Sequence, residues 1–139
     1  MEKLFEKKDL VYICSPLSAP TQDGIRENMK KATFYRWIMK KKFGCRTIAP
    51  HGFLPRYLDD NIPQERQIAL EFGLSVLKVC KALIVCGDTI SAGMAGEIRK
   101  ARELGIKVYR LRIEGEKAVL TKMEALEDEM QVCKDNISE

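Results

Sequence analysis

Ser91 and Glu97 are the residues whose types and spacing could do chemistry, because they place a hydroxyl six positions before a carboxylate at a predicted helix start. They belong to the segment Gly87-Asp88-Thr89-Ile90-Ser91-Ala92-Gly93-Met94-Ala95-Gly96-Glu97. Free backbone N–H groups at a helix start suit a phosphate or another anion. The segment therefore predicts a site for a phosphorylated small molecule, with Glu97 as an acid or nucleophile. The candidate binding residues within it are Gly87, Asp88, Ser91 and Gly93.

A purely structural interpretation of this segment stays open. Ser91 would then cap the helix, and Glu97 would face solvent. The segment lacks the Gly-Lys-Ser/Thr of a Walker A loop, and it has no GxGxxG fingerprint of a dinucleotide site. Spacing alone favours the structural interpretation.

Alternating strand and helix patterns indicate the elements that must position these residues. Predicted strands span about 10–14, 46–49, 82–86 and 107–111, and predicted helices span about 25–43, 63–79, 91–104 and 116–134. The alternation predicts one α/β domain over 1–139, a three-layer α/β/α fold with a mostly parallel, flavodoxin-like or Rossmann-like sheet. Its core spans about 10–111. The last helix would cover the sheet or form a subunit contact through Val119, Met123, Leu126, Met130 and Cys133.

Ligands of parallel α/β sheets bind outside the carboxyl ends of the strands. The segments that follow predicted strands, and should converge, are Ser15-Pro16, Pro50-His51 and Gly87-Asp88. His51 is either a functional residue of the site or only a structural residue of the Pro50-His51-Gly52 turn. Asp59 and Asp60 either cap the second helix or supply an acid. Arg66 either binds a phosphate or pairs with this acidic loop.

The composition favours a soluble globular protein over several other classes. A chain of 139 residues that is 45% hydrophobic and 32% charged is typical of one globular domain. No apolar run reaches the roughly 18–20 residues that span a bilayer, and no signal-peptide region is recognisable. Five cysteines without a CxxC pair favour a reducing cytoplasm. His51 is the only histidine and lacks clustered ligands, so we expect no metal and no cofactor.

The net charge of +4 includes a group of lysines on the first predicted helix. They are Lys30, Lys31, Lys40, Lys41 and Lys42. Such a group is typical of a solvated helix face, and we do not expect nucleic-acid binding. A basic interaction protein that acts through 30–42 is the weaker alternative.

The wider pattern resembles the nucleoside 2-deoxyribosyltransferase superfamily, which includes the 2′-deoxynucleoside 5′-phosphate N-hydrolases. The resemblance covers about 10–111 and is closest to an uncharacterised bacterial and phage branch. It rests on Val11-Tyr12-Ile13-Cys14-Ser15-Pro16, Ala49-Pro50-His51, Leu58-Asp59-Asp60, Glu65-Arg66, 90–97, Ala101 and Gly105-Ile106-Lys107-Val108.

The resemblance implies roles for particular residues. Glu97 matches the glutamate nucleophile that attacks C1′ of the sugar, and Ser91 matches the serine that contacts the 5′-phosphate in the hydrolases. The transferases carry an aspartate at that position, so Ser91 favours a phosphorylated substrate. Tyr12 and Ser15, with the adjacent Pro16, match the loop that lines the sugar pocket. The resemblance also implies a homodimer or higher homo-oligomer, because relatives complete their pockets with a neighbour's residues.

One position departs from the superfamily. Relatives place an aspartate on the helix before the third strand to handle the leaving base, and by spacing that position is Gly73. Glu71 is two residues away and is therefore turned roughly 200° around the helix. His51, Asp59 or Asp60 could supply the proton instead.

The sequence thus predicts a cytoplasmic N-glycosidase that acts on a nucleoside 5′-monophosphate or a related nucleotide. Its catalytic residues would be Glu97 with His51 or Asp60. The alternatives are a nucleotide-binding module without catalysis, favoured by Gly73, and a nucleoside deoxyribosyltransferase.

Overall fold

A computed structural model describes residues 3–124, which form one five-stranded sheet with helices on both faces. The strands are β1 (Leu10–Cys14), β2 (Arg46–Ile48), β3 (Ala82–Val85), β4 (Lys107–Glu114) and β5 (Lys117–Lys122), and the helices are α1 (Gln22–Phe43), α2 (Pro63–Leu77) and α3 (Ala92–Glu103). The strand order is β2-β1-β3-β4-β5; the first four strands are parallel, and β5 is antiparallel to β4. The predicted α/β class with a mostly parallel sheet is confirmed. Within residues 3–124, no helix is both long and apolar enough to cross a membrane.

The central strands β1 and β3 are buried on both faces, as their continuous apolar sequences predict. Successive side chains alternate between the two faces. Ile13 therefore packs in the core beneath α1, whereas Tyr12 and Cys14 belong to the core on the opposite face, beneath α2 and α3. The alternation along β1 is what directs Tyr12 and Cys14 toward α3.

Helix α1 has a complete set of end signals. Thr21 is its N-cap and accepts a hydrogen bond from the backbone N–H of Gly24 at 3.0 Å. Gly44 ends the helix with φ +68°, a conformation that favours glycine. The basic residues of the last turn, Lys40, Lys41 and Lys42, stabilise the negative end of the helix dipole.

The predicted helix over 116–134 is wrong where the structure describes it. Strand β4 continues to Glu114, Gly115 turns the chain with φ +63°, and β5 pairs back along β4. Ala118 and Leu120 pack on the core under α1, so the two-residue alternation of a strand prevails over the helical spacing of Val119 and Met123. Strand β5 also covers an edge of β4 that a helix would leave unpaired. The rest of the predicted stripe, Leu126, Met130 and Cys133, lies outside the described residues.

We expect opposite stability changes from alanine at two glycines. Gly115→Ala should lower the free energy of unfolding by about 1–2 kcal/mol, because φ +63° is strained for alanine. Gly96→Ala should raise it by up to about 1 kcal/mol, since Gly96 lies inside α3 and an added Cβ meets nothing within 4 Å. Urea denaturation of both variants measures the difference. A stable Gly115→Ala variant would contradict the tight β4–β5 turn.

Candidate active site

The carboxylate of Glu97 lies between two donors of the central strand. The Tyr12 hydroxyl donates to Oε2 of Glu97, and the Cys14 thiol lies 3.7 Å from Oε1. Tyr12 and Cys14 are two residues apart on β1 and therefore share a face. Glu97 lies in the second turn of α3, on the side that packs against β1. Each carboxylate oxygen is thus held by a different side chain of the same strand.

Burial determines the electrostatics of this contact. Desolvation raises the pKa of Glu97, and the nearby His51 and the hydrogen bonds from Tyr12 and Cys14 only partly oppose that effect. The pKa of Tyr12 is raised far above its usual range, first by burial and then by the negative charge of Glu97. The phenol therefore stays protonated at physiological pH and remains a donor.

His51 is anchored at the end of β2. Its Nδ1 lies 2.7 Å from the backbone carbonyl oxygen of Ser15, just beyond β1. A carbonyl oxygen only accepts, so Nδ1 carries the hydrogen and Nε2 is the nitrogen that can act on a ligand. The positive charge of His51 acts on Glu97. The structure therefore brings the ends of β1 and β2 together beside Glu97.

Ser15, whose carbonyl oxygen contacts His51, also carries a buried hydroxyl. The residue is 1% exposed, and its Oγ has no hydrogen-bond partner among the described residues. A buried hydroxyl without a partner is unfavourable by about 1–3 kcal/mol. A polar group of a ligand at this position would satisfy it.

Ser91 is the N-cap of α3. Its Oγ accepts a hydrogen bond from the backbone N–H of Met94 at 3.2 Å, as the structural interpretation requires. The hydroxyl hydrogen is not used in this contact, and the N–H groups of Ala92 and Gly93 belong to the first turn, where a helix has no internal acceptors. Capping and anion binding are therefore compatible at this position.

The loop between β3 and α3 is held by an arginine that sequence reasoning missed. Nη2 of Arg110, on β4, donates to the carbonyl oxygens of Gly87 and Asp88, both at 3.1 Å. Gly87 has φ +97°, and an added Cβ would lie 3.5 Å from the ring of Pro16. The ends of β1 and β3 therefore meet here. The available signal for Arg110 was a charged residue between Tyr109 and Leu111, two buried apolar positions of β4.

The acidic loop is not brought to Glu97. The Asp59 carboxylate accepts from the backbone N–H of Asn61 at 2.9 Å, and Asp60 and Arg66 are exposed. Ile62, not an aspartate, is the N-cap of α2, and it makes no side-chain cap. Across 3–124, no hydrogen bond joins Asp59, Asp60 or Arg66 to Glu97 or its partners. The prediction that Asp59 or Asp60 caps α2 is therefore wrong, because neither residue is its N-cap.

Gly73 faces the site without a side chain. A Cβ built at Gly73 would lie 3.1 Å from the hydroxyl oxygen of Tyr12. Glu71 is exposed, and its carboxylate accepts from the side chain of Gln67 at 3.0 Å. Gly73, the position where the superfamily has its acid, therefore faces Tyr12. Glu71 does not replace that acid, because its carboxylate is exposed and contacts Gln67.

No group of three or more histidine, cysteine or acidic residues that could hold a metal occurs within 3–124. The described cysteines, Cys14, Cys45, Cys80 and Cys86, are free thiols and buried.

We expect Glu97→Gln to change how stability depends on pH. The raised pKa of Glu97 means that its stabilising protonated form is fully present below the unfolded value near 4.5 and is lost as pH rises through the folded pKa. Glu97→Gln should therefore be more stable than the wild type at pH 8, by about 1.4 kcal/mol per unit of pKa difference, and this advantage should vanish toward pH 4. Urea denaturation between pH 4 and 8 measures it. Glu71→Gln, which removes an exposed carboxylate, is the matched control. An equal advantage at every pH would contradict the burial of Glu97.

A solved structure shares this fold, and a family model matches part of this sequence. A solved structure of the 2-deoxyribosyltransferase from the psychrotolerant bacterium Bacillus psychrosaccharolyticus matches with a TM-score of 0.60 and 17% sequence identity, over 88% of this chain and 82% of that chain. At that identity the likeness shows the fold alone. No curated protein matches the sequence. The model of the family described as a domain of unknown function, DUF7768, matches residues 9–111. Because that match spans most of the chain, the protein belongs to the DUF7768 family.

Proposed function

We propose that this protein is an N-glycosidase that cleaves the N-glycosidic bond of a nucleoside 5′-monophosphate or a related nucleotide. The observation that carries the proposal is the Glu97 carboxylate, held by Tyr12 and Cys14 at the ligand-binding edge of the sheet. A buried, oriented carboxylate suits an oxocarbenium-like transition state, which needs a negative partner below the sugar ring. The fold shared with a 2-deoxyribosyltransferase supports the same reaction class.

The reaction would proceed in two displacements. A Glu97 oxygen attacks C1′, the bond from C1′ to the base nitrogen breaks, and the base leaves with its electron pair and takes up a proton. A water molecule then attacks C1′, which releases the sugar phosphate and regenerates the carboxylate. The Tyr12 hydrogen bond stabilises the departing carboxylate in the second step.

His51 is the acid that the geometry favours for the leaving base. With Nδ1 bound to the Ser15 carbonyl, the imidazolium form offers Nε2–H for donation, and Nε2 can recover a proton from the attacking water. Asp59 is committed to the turn at Asn61, and Asp60 is exposed on the same loop. Asp60 therefore becomes the weaker candidate.

Substrate binding would use the N-terminus of α3 and the end of β1. The Ser91 hydroxyl and the free N–H groups of the first turn would bind the 5′-phosphate, and Gly93 leaves room because it has no side chain. Arg110 holds the backbone of Gly87 and Asp88 in place. Tyr12, Ser15 and Pro16 would line the sugar pocket, with the unpartnered Ser15 hydroxyl available to a sugar oxygen. Arg66 would join the site only if its loop moves, because it is exposed here.

A cytoplasmic homodimer or higher homo-oligomer completes the proposal. Helix α2 exposes Ile68 and Leu70, at 53% and 56%, although most of its other apolar side chains are partly covered. Exposed apolar side chains of this kind are typical of a subunit contact. Leu70 lies three residues before Gly73 and therefore on the same side of α2, so a neighbouring subunit that covers Leu70 would approach the leaving-base side of the site.

A binding module without catalysis is the second candidate function. The bare Gly73 beside Tyr12 favours it, because no side chain of α2 reaches the leaving base from that position. A nucleoside deoxyribosyltransferase would use the same first displacement, with a second base replacing water.

We expect the wild type to release free base from one or more nucleoside 5′-monophosphates, measured by liquid chromatography. Glu97→Ala should lower the rate on the order of 10³-fold or more, because the nucleophile is lost. His51→Ala should lower it roughly 10²–10⁴-fold, the usual contribution of a general acid. Glu71→Gln is the control and should retain the wild-type rate.

Equal base release by the wild type and Glu97→Ala would exclude Glu97 as the nucleophile. Retention of an intact nucleotide with no base released by either protein would favour the binding module. Release that requires a second base would identify a transferase.

We expect Ser91→Ala to lower kcat/KM for a nucleotide about tenfold more than for the matching nucleoside, because one phosphate contact is lost. The substitution also removes the cap of α3, which costs about 1 kcal/mol of stability. Thr21→Ala is the matched control, since it removes the equivalent cap of a different helix, α1. It should leave the nucleotide-to-nucleoside ratio unchanged. An unchanged ratio in Ser91→Ala would contradict the phosphate role.

A further inference from the structure

A cavity lies at the end of the sheet opposite Glu97. It has a volume of about 600 Å³ and lies at the amino ends of β1 and β2, where Leu10 and Arg46 are paired first residues. Leu10 and Cys45 contribute apolar lining. The charged residues that line it are Lys7, Arg36, Lys40 and Arg46. Four cations and no carboxylate therefore surround one cavity.

We propose that this cavity is a binding site for a compact polyanion that carries several phosphate groups. The site is separate from the proposed phosphate position at Ser91 and does not depend on the proposed glycosidase activity. Cations gathered around one cavity repel each other, and an anion with comparable negative charge would relieve that repulsion.

The cations of the cavity are not neutralised by neighbouring acids. None of the ion pairs Asp23–Arg26, Glu27–Lys30 and Lys100–Glu103 involves a residue that lines the cavity. Asp9 precedes β1; its negative charge acts on Cys45 of the lining, and its Oδ2 accepts from the backbone N–H of Glu6 at 2.8 Å. One nearby carboxylate does not balance the cations of the lining, so the cavity keeps a net positive charge.

The two arginines are oriented by contacts that leave their terminal nitrogens available. Nε of Arg36 donates to the Thr47 hydroxyl at 3.1 Å, and Nε of Arg46 donates to the backbone carbonyl of Lys8 at 2.9 Å. Each contact fixes one edge of a guanidinium group, whose remaining N–H groups suit phosphate oxygens. Lys40 lies one turn after Arg36 on α1, so both reach the same side.

Ordinary stabilisation of helix α1 does not explain this arrangement. Lys40 lies in the last turn, where any cation stabilises the helix dipole, but so do Lys41 and Lys42, which do not line the cavity. Arg36 lies before that turn, and Lys7 and Arg46 lie outside the helix altogether. A compact ligand fits better than a nucleic acid, because the charge surrounds a partly apolar recess of limited volume instead of a long stripe.

The experiment is calorimetric titration of the full chain with inorganic triphosphate at physiological ionic strength. Inorganic phosphate and a nucleoside triphosphate serve as parallel ligands and distinguish a free polyphosphate from a nucleotide. We expect one triphosphate per chain, bound at least tenfold more tightly than phosphate. Arg36→Gln and Arg46→Gln should each weaken binding about tenfold, the loss expected for one charge-assisted contact. Lys40→Gln provides a third variant in case an arginine variant folds poorly, which circular dichroism would reveal.

The matched control is Lys31→Gln, which removes the same charge from α1 outside the cavity and should change the affinity less than twofold. An equal loss in Lys31→Gln would indicate nonspecific charge attraction and overturn the proposal. Loss of binding in Ser91→Ala would place the anion at α3 and overturn it as well. The absence of binding to the wild type, or displacement of triphosphate by duplex DNA at lower concentration, would have the same consequence.

Discussion

The contact between β1 and Glu97 is the interaction on which the rest of the site depends. Tyr12 and Cys14 each donate a hydrogen bond to one oxygen of the Glu97 carboxylate. These bonds replace contacts with water that the carboxylate loses on burial. This pairing requires α3 to cross β1 with its second turn against Cys14. Helix α2 also approaches Tyr12 closely, because a Cβ at Gly73 would lie 3.1 Å from the Tyr12 hydroxyl oxygen. Tyr12 therefore contacts both α2 and α3, and it also orients the Glu97 carboxylate, which is the proposed reactive group.

The same contact explains how a partly buried glutamate could be a useful nucleophile. Desolvation makes the carboxylate less stable and thus more reactive toward a developing positive charge, while the two donors keep it in one orientation. The positive charge of His51 acts on the carboxylate, and the imidazole is itself fixed by the Ser15 carbonyl. The arrangement separates the two proposed roles: β1 and α3 hold the carboxylate, and the end of β2 holds the proposed proton donor.

Much of this organisation is predictable from the sequence, for definite physical reasons. Strands β1 and β3 are continuous apolar runs, and parallel topology brings their carboxyl ends together, so Ser15, His51 and Gly87 could be expected near one another. Strand β5 was missed because Val119 and Met123 have helical spacing, while the alternation of Ala118 and Leu120 is decisive only once β4 offers an edge.

The roles of individual side chains were harder to predict from the sequence. A cysteine within an apolar strand looks in the sequence like any small core residue. The contact of Cys14 with Glu97 therefore could not be predicted from the sequence. Arg110 acts through backbone carbonyls of a distant loop, and such partners have no sequence pattern. The path of the loop around Asp59 and Asp60 depends on tertiary packing, and spacing alone could not place it relative to Glu97.

The most direct test of the account is to look for the covalent intermediate on Glu97. Wild-type protein mixed with a nucleoside 5′-monophosphate that it cleaves, quenched rapidly in acid and digested, should yield a peptide containing Glu97 that carries the mass of the sugar phosphate. The account predicts this ester in the wild type and its absence in Glu97→Gln. Base release without any adduct at Glu97, or an adduct on another residue, would contradict it.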